Sequence, residues 1–264
     1  MVCKALRRHR RRQLITAFAG WVALGFSGPS AAQDPATIAR VKPSIVAIGT
    51  FERLRNPQFT FAGTGFAVGD GSFVATNEHV LPKIMDGERN ETIAIAVRTS
   101  GGAVELRSAA KVASDSEADL AVLRIEGARL PPLALGDSAA VREGELFLLT
   151  GFPIGSVLGF FPVTHRAMIA AVTPIAIPSA RAQQLDARTV RRLQAGTFYV
   201  FQLDGTAYPG NSGSPVYRPD SGEVIGIVNS VFVKGSKEAA LTAPSGITYA
   251  IPSERLKALL QSAP

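Results

Sequence analysis

A succession of short apolar runs, each closed by a glycine, proline or Asx-rich turn, constrains this chain more than any other feature. The runs lie at 44–51, 65–68, 72–76, 92–98, 104–107, 120–125 and 145–151, and a second series follows at 164–172, 197–203, 214–218, 223–232 and 247–251. Such short runs are strands rather than helices, and Gly69-Asp70-Gly71 between two of them reads as a hairpin turn. A chain built this way is all-β, either a sandwich or a pair of barrels. Two stretches break the pattern. Residues 177–195 are polar and helix-compatible, which predicts a surface insertion. Residues 253–262 carry Ser253 after Pro252 and the apolar stripe Leu256, Leu259 and Leu260, which predicts a closing helix with Ser253 as its N-cap. Residues 34–43 form a proline-containing lead.

The formal charge of +7 points toward nucleic acid only until its distribution is examined. Six of the 28 basic residues (Lys4, Arg7, Arg8, Arg10, Arg11 and Arg12) fall within residues 1–32, which hold no acid. The remainder has 22 basic residues against 21 acidic ones, a balance of about +1, so no nucleic-acid partner is expected. Residues 1–32 read instead as an export signal: a basic start, an apolar run over 14–26, and the small-residue exit Ser30-Ala31-Ala32. The run of about 13 residues is shorter than the ~20 of a membrane span, so the expectation is cleavage after Ala32 and no stable span thereafter. Arg11-Arg12 resembles a twin-arginine signal, but a cluster of six cations generates such pairs easily, and Sec export to the periplasm or beyond is expected. Cys3, the single cysteine, lies in this leader and leaves residues 33–264 without a thiol or disulfide.

Beyond the leader there are only two histidines, His79 and His165. His79, in Thr76-Asn77-Glu78-His79-Val80, stands where a strand ends, the place from which a scaffold presents a functional side chain. His165 reads as a strand-start residue on the surface. Asp119 leads directly into the apolar run Leu120-Ala121-Val122-Leu123, where a buried carboxylate needs a hydrogen-bonding partner such as an imidazole. Ser212 lies between glycines in Pro209-Gly210-Asn211-Ser212-Gly213-Ser214-Pro215. Glycines weaken a strand entry and are useful where backbone amides and a hydroxyl must face outward together. The same segment is also readable as an ordinary turn. With two histidines and no cysteine, no metal site and no cofactor are expected.

The order His79, Asp119, Ser212, together with Gly63-Thr64-Gly65-Phe66, Gly210-Asn211-Ser212-Gly213 and Gly246-Ile247-Thr248-Tyr249-Ala250-Ile251-Pro252, resembles the chymotrypsin-like serine proteases of the HtrA/Deg branch. The resemblance covers residues 44–260. It implies two six-stranded antiparallel β-barrels, at about 44–150 and 151–252, with the closing helix at 253–262. It also implies an exported endopeptidase acting on unfolded or damaged polypeptides. In that mechanism Ser212 is the nucleophile, His79 the general base and Asp119 its orienting partner, with the amides of Gly210 and Ser212 as oxyanion hole. By the family's spacing, Thr206 is the pocket floor, and with no carboxylate there a small or medium aliphatic P1 residue is expected. Val228, Asn229 and Ser230 resemble the strand that pairs with substrate. Asn211 replaces an aspartate that would pair with a new N-terminus, which favours gating by the loops at 155–162 and 234–243. No PDZ domain is expected after residue 252, and a homotrimer stays open.

Three departures stand out: Gly213-Ser214-Pro215 in place of Gly-Gly-Ala, the size of the 177–195 insertion, and a lead without an aromatic anchor. The competing reading is a secreted peptide-binding or chaperone-like module with little proteolysis, distinguished by binding without turnover. An esterase would use the same residues. The Gly-x-Ser-x-Gly elbow of the α/β-hydrolases is excluded because Ser214 takes its last glycine position.

Overall fold

The computed structural model describes residues 35–262 apart from 86, 88, 100, 156–158, 175–197, 207 and 230–245. Twelve strands among them close into two six-stranded antiparallel barrels. The first contains β1 (Ile45–Phe51), β2 (Phe59–Val68), β3 (Phe73–Thr76), β4 (Thr92–Arg98), β5 (Val104–Asp115) and β6 (Leu120–Ile125), hydrogen-bonded in the order β1-β2-β3-β6-β5-β4. The second contains β7 (Leu146–Gly151), β8 (Val163–Pro174), β9 (Tyr199–Asp204), β10 (Pro215–Tyr217), β11 (Val224–Asn229) and β12 (Ile247–Pro252), in the order β10-β11-β12-β9-β8-β7. Each barrel has an apolar filling of its own: Val46, Ile48, Ile95 and Leu123 are fully buried in the first, and Ile169, Leu203, Ile225 and Val228 in the second. Among the described strands, closure leaves no open sheet edge to template aggregation.

The boundary between barrels differs from the sequence reading. That reading gives residues 145–151 to the first barrel, yet β7 pairs with β8 and β10 of the second. The crossing therefore lies between Ile125 and Leu146. An apolar strand carries no mark of the sheet it joins, and the irregular segment before it is the real break. The strands expected at 65–68 and 104–107 are also longer in the structure, because β2 and β5 continue through polar or glycine-bearing positions that pair across the sheet.

Short helices frame the barrels. The lead holds α1 (Pro35–Val41) and a 3₁₀ turn (Lys42–Ser44). Such a helix is marginal alone; here Val41 is buried and Thr37 Oγ1 donates to Asp220 O at 3.1 Å. The closing helix α2 (Ser253–Ser262) buries Leu256 and Leu259. Its first turn is held from the inter-barrel linker, since Ser138 Oγ accepts the Glu254 N–H at 3.3 Å and Ser138 N–H donates to Glu254 Oε1 at 2.9 Å. The expected capping serine, Ser253, instead donates its hydroxyl to Gly136 O at 2.9 Å. Among the described residues no helix is long and apolar enough to cross a membrane.

Candidate active site

The register of β3 against β6 sets the first half of the site. Thr76 pairs with Ala121, so the residues just after β3 and just before β6 emerge at the same barrel rim. His79 follows β3 in the 3₁₀ turn Glu78–Val80, and Asp119 immediately precedes β6. Asp115 Oδ1 accepts the N–H groups of Glu117 and Ala118 at 2.9 and 3.0 Å, forming an Asx turn. Asp119 itself sits at φ 55, a left-handed conformation that Asp tolerates better than most residues. Its carbonyl accepts the Glu78 N–H and the Asn77 side-chain amide, each at 3.1 Å, so the two rim segments lock together at the Asp119 carbonyl.

This lock brings the His79 ring onto the Asp119 carboxylate. His79 Nδ1 lies 2.6 Å from Asp119 Oδ2, and His79 N–H donates to Oδ1 at 2.9 Å. Asn229, from β11 of the other barrel, donates its side-chain amide to Oδ2 at 2.8 Å. Burial alone pushes the carboxyl upward, but the hydrogen bonds from the His79 ring, the His79 backbone and Asn229 outweigh it and hold Asp119 below the usual carboxylate range. An ionised carboxylate can only accept, so the proton between the two is on Nδ1 and leaves Nε2 as the basic nitrogen.

Ser212 occupies the turn between Pro209 and β10. The turn is closed by Asn211 N–H to Tyr208 O and Ser214 N–H to Asn211 O, both 3.0 Å, and is stitched to β11 by Gly213 N–H to Val228 O at 2.9 Å. Gly210 and Gly213 hold φ 101 and 85, and a Cβ on the second would overlap Thr64 O. The glycines beside Ser212 are thus required by backbone direction and by contact with the first barrel. A side chain at Gly63 would lie 2.7 Å from Val80 on one side and 3.1 Å from Ser212 O on the other, so the histidine turn and the serine turn meet there. The structure brings His79, Asp119 and Ser212 to one inter-barrel junction.

The specificity positions are less uniform. Thr206 is half-buried after β9. Val228 has both backbone groups engaged within the protein, its N–H with Ser214 O and its C=O with Gly213, each at 2.9 Å. Asn229 is fully buried with its side chain on Asp119. Ser230, the loop at 234–243 and the insertion at 177–195 lie outside the described residues. His165 is half-buried near the start of β8, opposite Leu149, and burial lowers its pKa. The sequence reading includes Thr64 only within the Gly63-Thr64-Gly65-Phe66 motif and gives it no role; its contacts with Gly210 and Ser212 make it part of the site. Its setting between two glycines is the available signal.

Two closed barrels with such a junction define a chymotrypsin-like serine protease domain. The trypsin-like peptidase domain family matches residues 63–227, more than half of the chain, and the chain belongs to that family. Human serine protease HTRA4 is 31% identical over 229 residues, covering 85% of this chain and 40% of the relative. Bovine mitochondrial serine protease HTRA2 is 35% identical over 199 residues, covering 75% and 35%. A probable periplasmic serine endoprotease DegP-like from Pseudomonas savastanoi is 30% identical over 191 residues, covering 72% and 32%. The chain therefore spans about a third to two fifths of the length of these relatives. Among solved structures, the HtrA-type protease AlgW, a variant with tripeptide, superposes with a TM-score of 0.58 at 26% identity, covering 88% of this chain and 63% of its own. Deg5 shares the fold, with a TM-score of 0.59 at 23% identity and coverage of 84% and 88%. The domain is HtrA-type.

Proposed function

We propose that this chain is an exported serine endopeptidase that cleaves unfolded or damaged polypeptides through His79, Asp119 and Ser212. The 2.6 Å contact between His79 Nδ1 and Asp119 Oδ2, beside the Ser212 turn, carries this reading. Ser212 Oγ attacks the scissile carbonyl while His79 Nε2 takes its proton, and the imidazolium so formed is stabilised by Asp119. His79 then gives the proton to the leaving amine, and water releases the acyl group by the same route. The N–H groups of Gly210 and Ser212 receive the oxyanion, each such donor being typically worth ~10²–10³ in rate.

Substrate pairing is assigned to the strand end at Val228, Asn229 and Ser230, where Val228 is bonded to the nucleophile turn and Asn229 is paired with Tyr249 of β12. Thr206, uncharged, favours an aliphatic P1 side chain. The segment leading into the 155–162 loop touches the nucleophile turn directly through Ile154 N–H and Pro209 O at 2.8 Å. Phe160, at the other end of that loop, packs on Phe59, Phe61 and Phe152 with ring centroids 5.5 to 6.3 Å apart. These contacts support gating of the oxyanion hole by the loop. Export through residues 1–32 agrees with the periplasmic relatives.

Labelling with an alkyl fluorophosphonate tests the assignment. The expected adduct is on Ser212 and disappears in His79→Ala. An adduct on another serine, or one whose rate is unchanged in His79→Ala, contradicts it.

A further inference from the structure

Thr64, fully buried in the middle of β2, hydrogen-bonds to the nucleophile turn on both sides of Asn211. Its N–H donates to Ser212 O at 2.9 Å, and its Oγ1 donates to Gly210 O at 2.7 Å. The same hydroxyl accepts the Phe152 N–H at 3.1 Å, and Thr64 O accepts Thr76 Oγ1 at 2.7 Å. A hydroxyl has one proton, an amide N–H can only donate and a carbonyl can only accept. The chain therefore runs in one direction, from Phe152 N–H to Thr64 Oγ1 and from Thr64 O–H to Gly210 O. Bonds aligned in this way reinforce one another in a buried setting.

A second bond runs parallel to this chain. Ile154 N–H donates to Pro209 O at 2.8 Å, and Ile154 itself sits at φ 58, a region that a β-branched residue enters only when its surroundings impose it. The C=O and N–H of a trans peptide point in opposite directions, so the Ile154 bond sets the direction of the Gly210 N–H. The Thr64 hydroxyl fixes the next peptide, Gly210–Asn211, and the Thr64 N–H fixes the carbonyl of Ser212. Both amides assigned to the oxyanion hole thus flank groups that Thr64 holds.

The geometry points to Thr64 as a positioning residue for the oxyanion hole, whose hydroxyl transmits the conformation of the 152–155 segment to the nucleophile turn. Thr64 acts through Gly210 and Ser212 and has no role in the bond changes. The inference rests on the reading of Ser212 as nucleophile. Its specific content is that the hydroxyl matters rather than the side-chain volume, so Thr64→Ser preserves function and the isosteric Thr64→Val does not.

The test uses the full chain with wild type, Thr64→Ser and Thr64→Val. It measures kcat and KM on a fluorogenic peptide with an aliphatic P1, and affinity for the matching peptide boronate and peptide amide. The boronate places an anionic oxygen in the oxyanion hole, whereas the amide reports the remaining binding contacts. Thr64→Ser should stay within about threefold throughout. Thr64→Val should lower kcat and boronate affinity about 10- to 100-fold, less than the full loss of one donor, while KM and amide affinity stay within about threefold. Wild-type kcat in Thr64→Val overturns the proposal, and so does an equal loss of boronate and amide binding. If Thr64→Val does not fold, Thr64→Cys, with its weak S–H donor, should fall below Thr64→Ser in kcat; equality there also overturns it. Cleavage that survives Ser212→Ala overturns the serine-protease reading and this proposal with it. With a silent Ser212→Ala variant, the Thr64 results test the positioning role alone.

Discussion

Asn211→Asp exchanges one amide for one carboxylate oxygen at the residue before the nucleophile, and the structure makes its cost calculable. Asn211 is 0% exposed, and neither Oδ1 nor Nδ2 has a hydrogen-bond partner among the described residues. The Ser214 hydroxyl is likewise without a partner among them, and a Cβ on Gly151 would lie 3.2 Å from Asn211 Oδ1. A carboxyl in such a place has its pKa raised, by up to ~3–5 units for a fully buried group. At 1.36 kcal/mol per unit, that is up to about 4–7 kcal/mol once the group is forced to ionise, a large share of a domain's typical ~5–15 kcal/mol. The sign follows from linkage. The unfolded carboxyl ionises near ~3.9, so the penalty is absent below that pH, grows as pH rises toward the elevated folded value and is constant above it. Urea melts of Asn211→Asp in a Ser212→Ala background, which prevents self-cleavage, should match the Ser212→Ala parent at pH 4 and fall well below it at pH 8. A deficit under about 1 kcal/mol at pH 8, or one independent of pH, would refute the reasoning, because it would show the site already supplies a partner for negative charge.

Gly151→Ala should be strongly destabilising, since its Cβ would overlap Ser214 Oγ and lie 2.9 Å from Thr64 Oγ1; adding Ser214→Ala should recover part of the loss, and a denaturant double-mutant cycle with no coupling would contradict the contact. Burial lowers the pKa of His165, so stability should be unaffected by its titration above the unfolded value near 6.5 and be lost as pH falls from there through the lowered folded value. His165→Leu should therefore flatten the fall in thermal midpoint between pH 7.5 and 5, and an unchanged slope would count against it. Tyr217→Phe removes the buried hydrogen bond to Thr150 Oγ1, 2.8 Å long, and should cost about 1 kcal/mol in urea denaturation.

The strand pattern makes the all-β class legible because short apolar runs and glycine turns are written locally. Membership of a barrel is not, and Glu145 to Gly151 shows why: the run is apolar whichever sheet it joins, and only pairing with β8 and β10 decides. His79 and Asp119 are readable as strand-end residues from their local sequence, whereas the register of β3 on β6 that brings their rims together spans 40 residues and is not. The contacts of Asn229 and Thr64 are hidden because their partners lie 110 and 146 residues away, at Asp119 and Gly210. Polar side chains in apolar strands, such as Thr64 and Asn229, signal that a distant partner exists without naming it. The lead shows no helix in its sequence, yet α1 forms because Val41 and Thr37 are buried against the rest of the chain, a tertiary effect that overrides weak local propensity.

Everything proposed for this chain depends on Ser212 being the nucleophile of a protease. Cleavage of unfolded casein by the purified protein, beside Ser212→Ala at equal concentration, tests it most directly. Loss of the serine from a comparable triad costs on the order of 10⁶ in kcat, so wild type should digest casein while the variant is silent. Casein cleavage by Ser212→Ala at a rate near wild type would contradict that role, and peptide binding by both proteins with cleavage by neither would establish a binding module in its place.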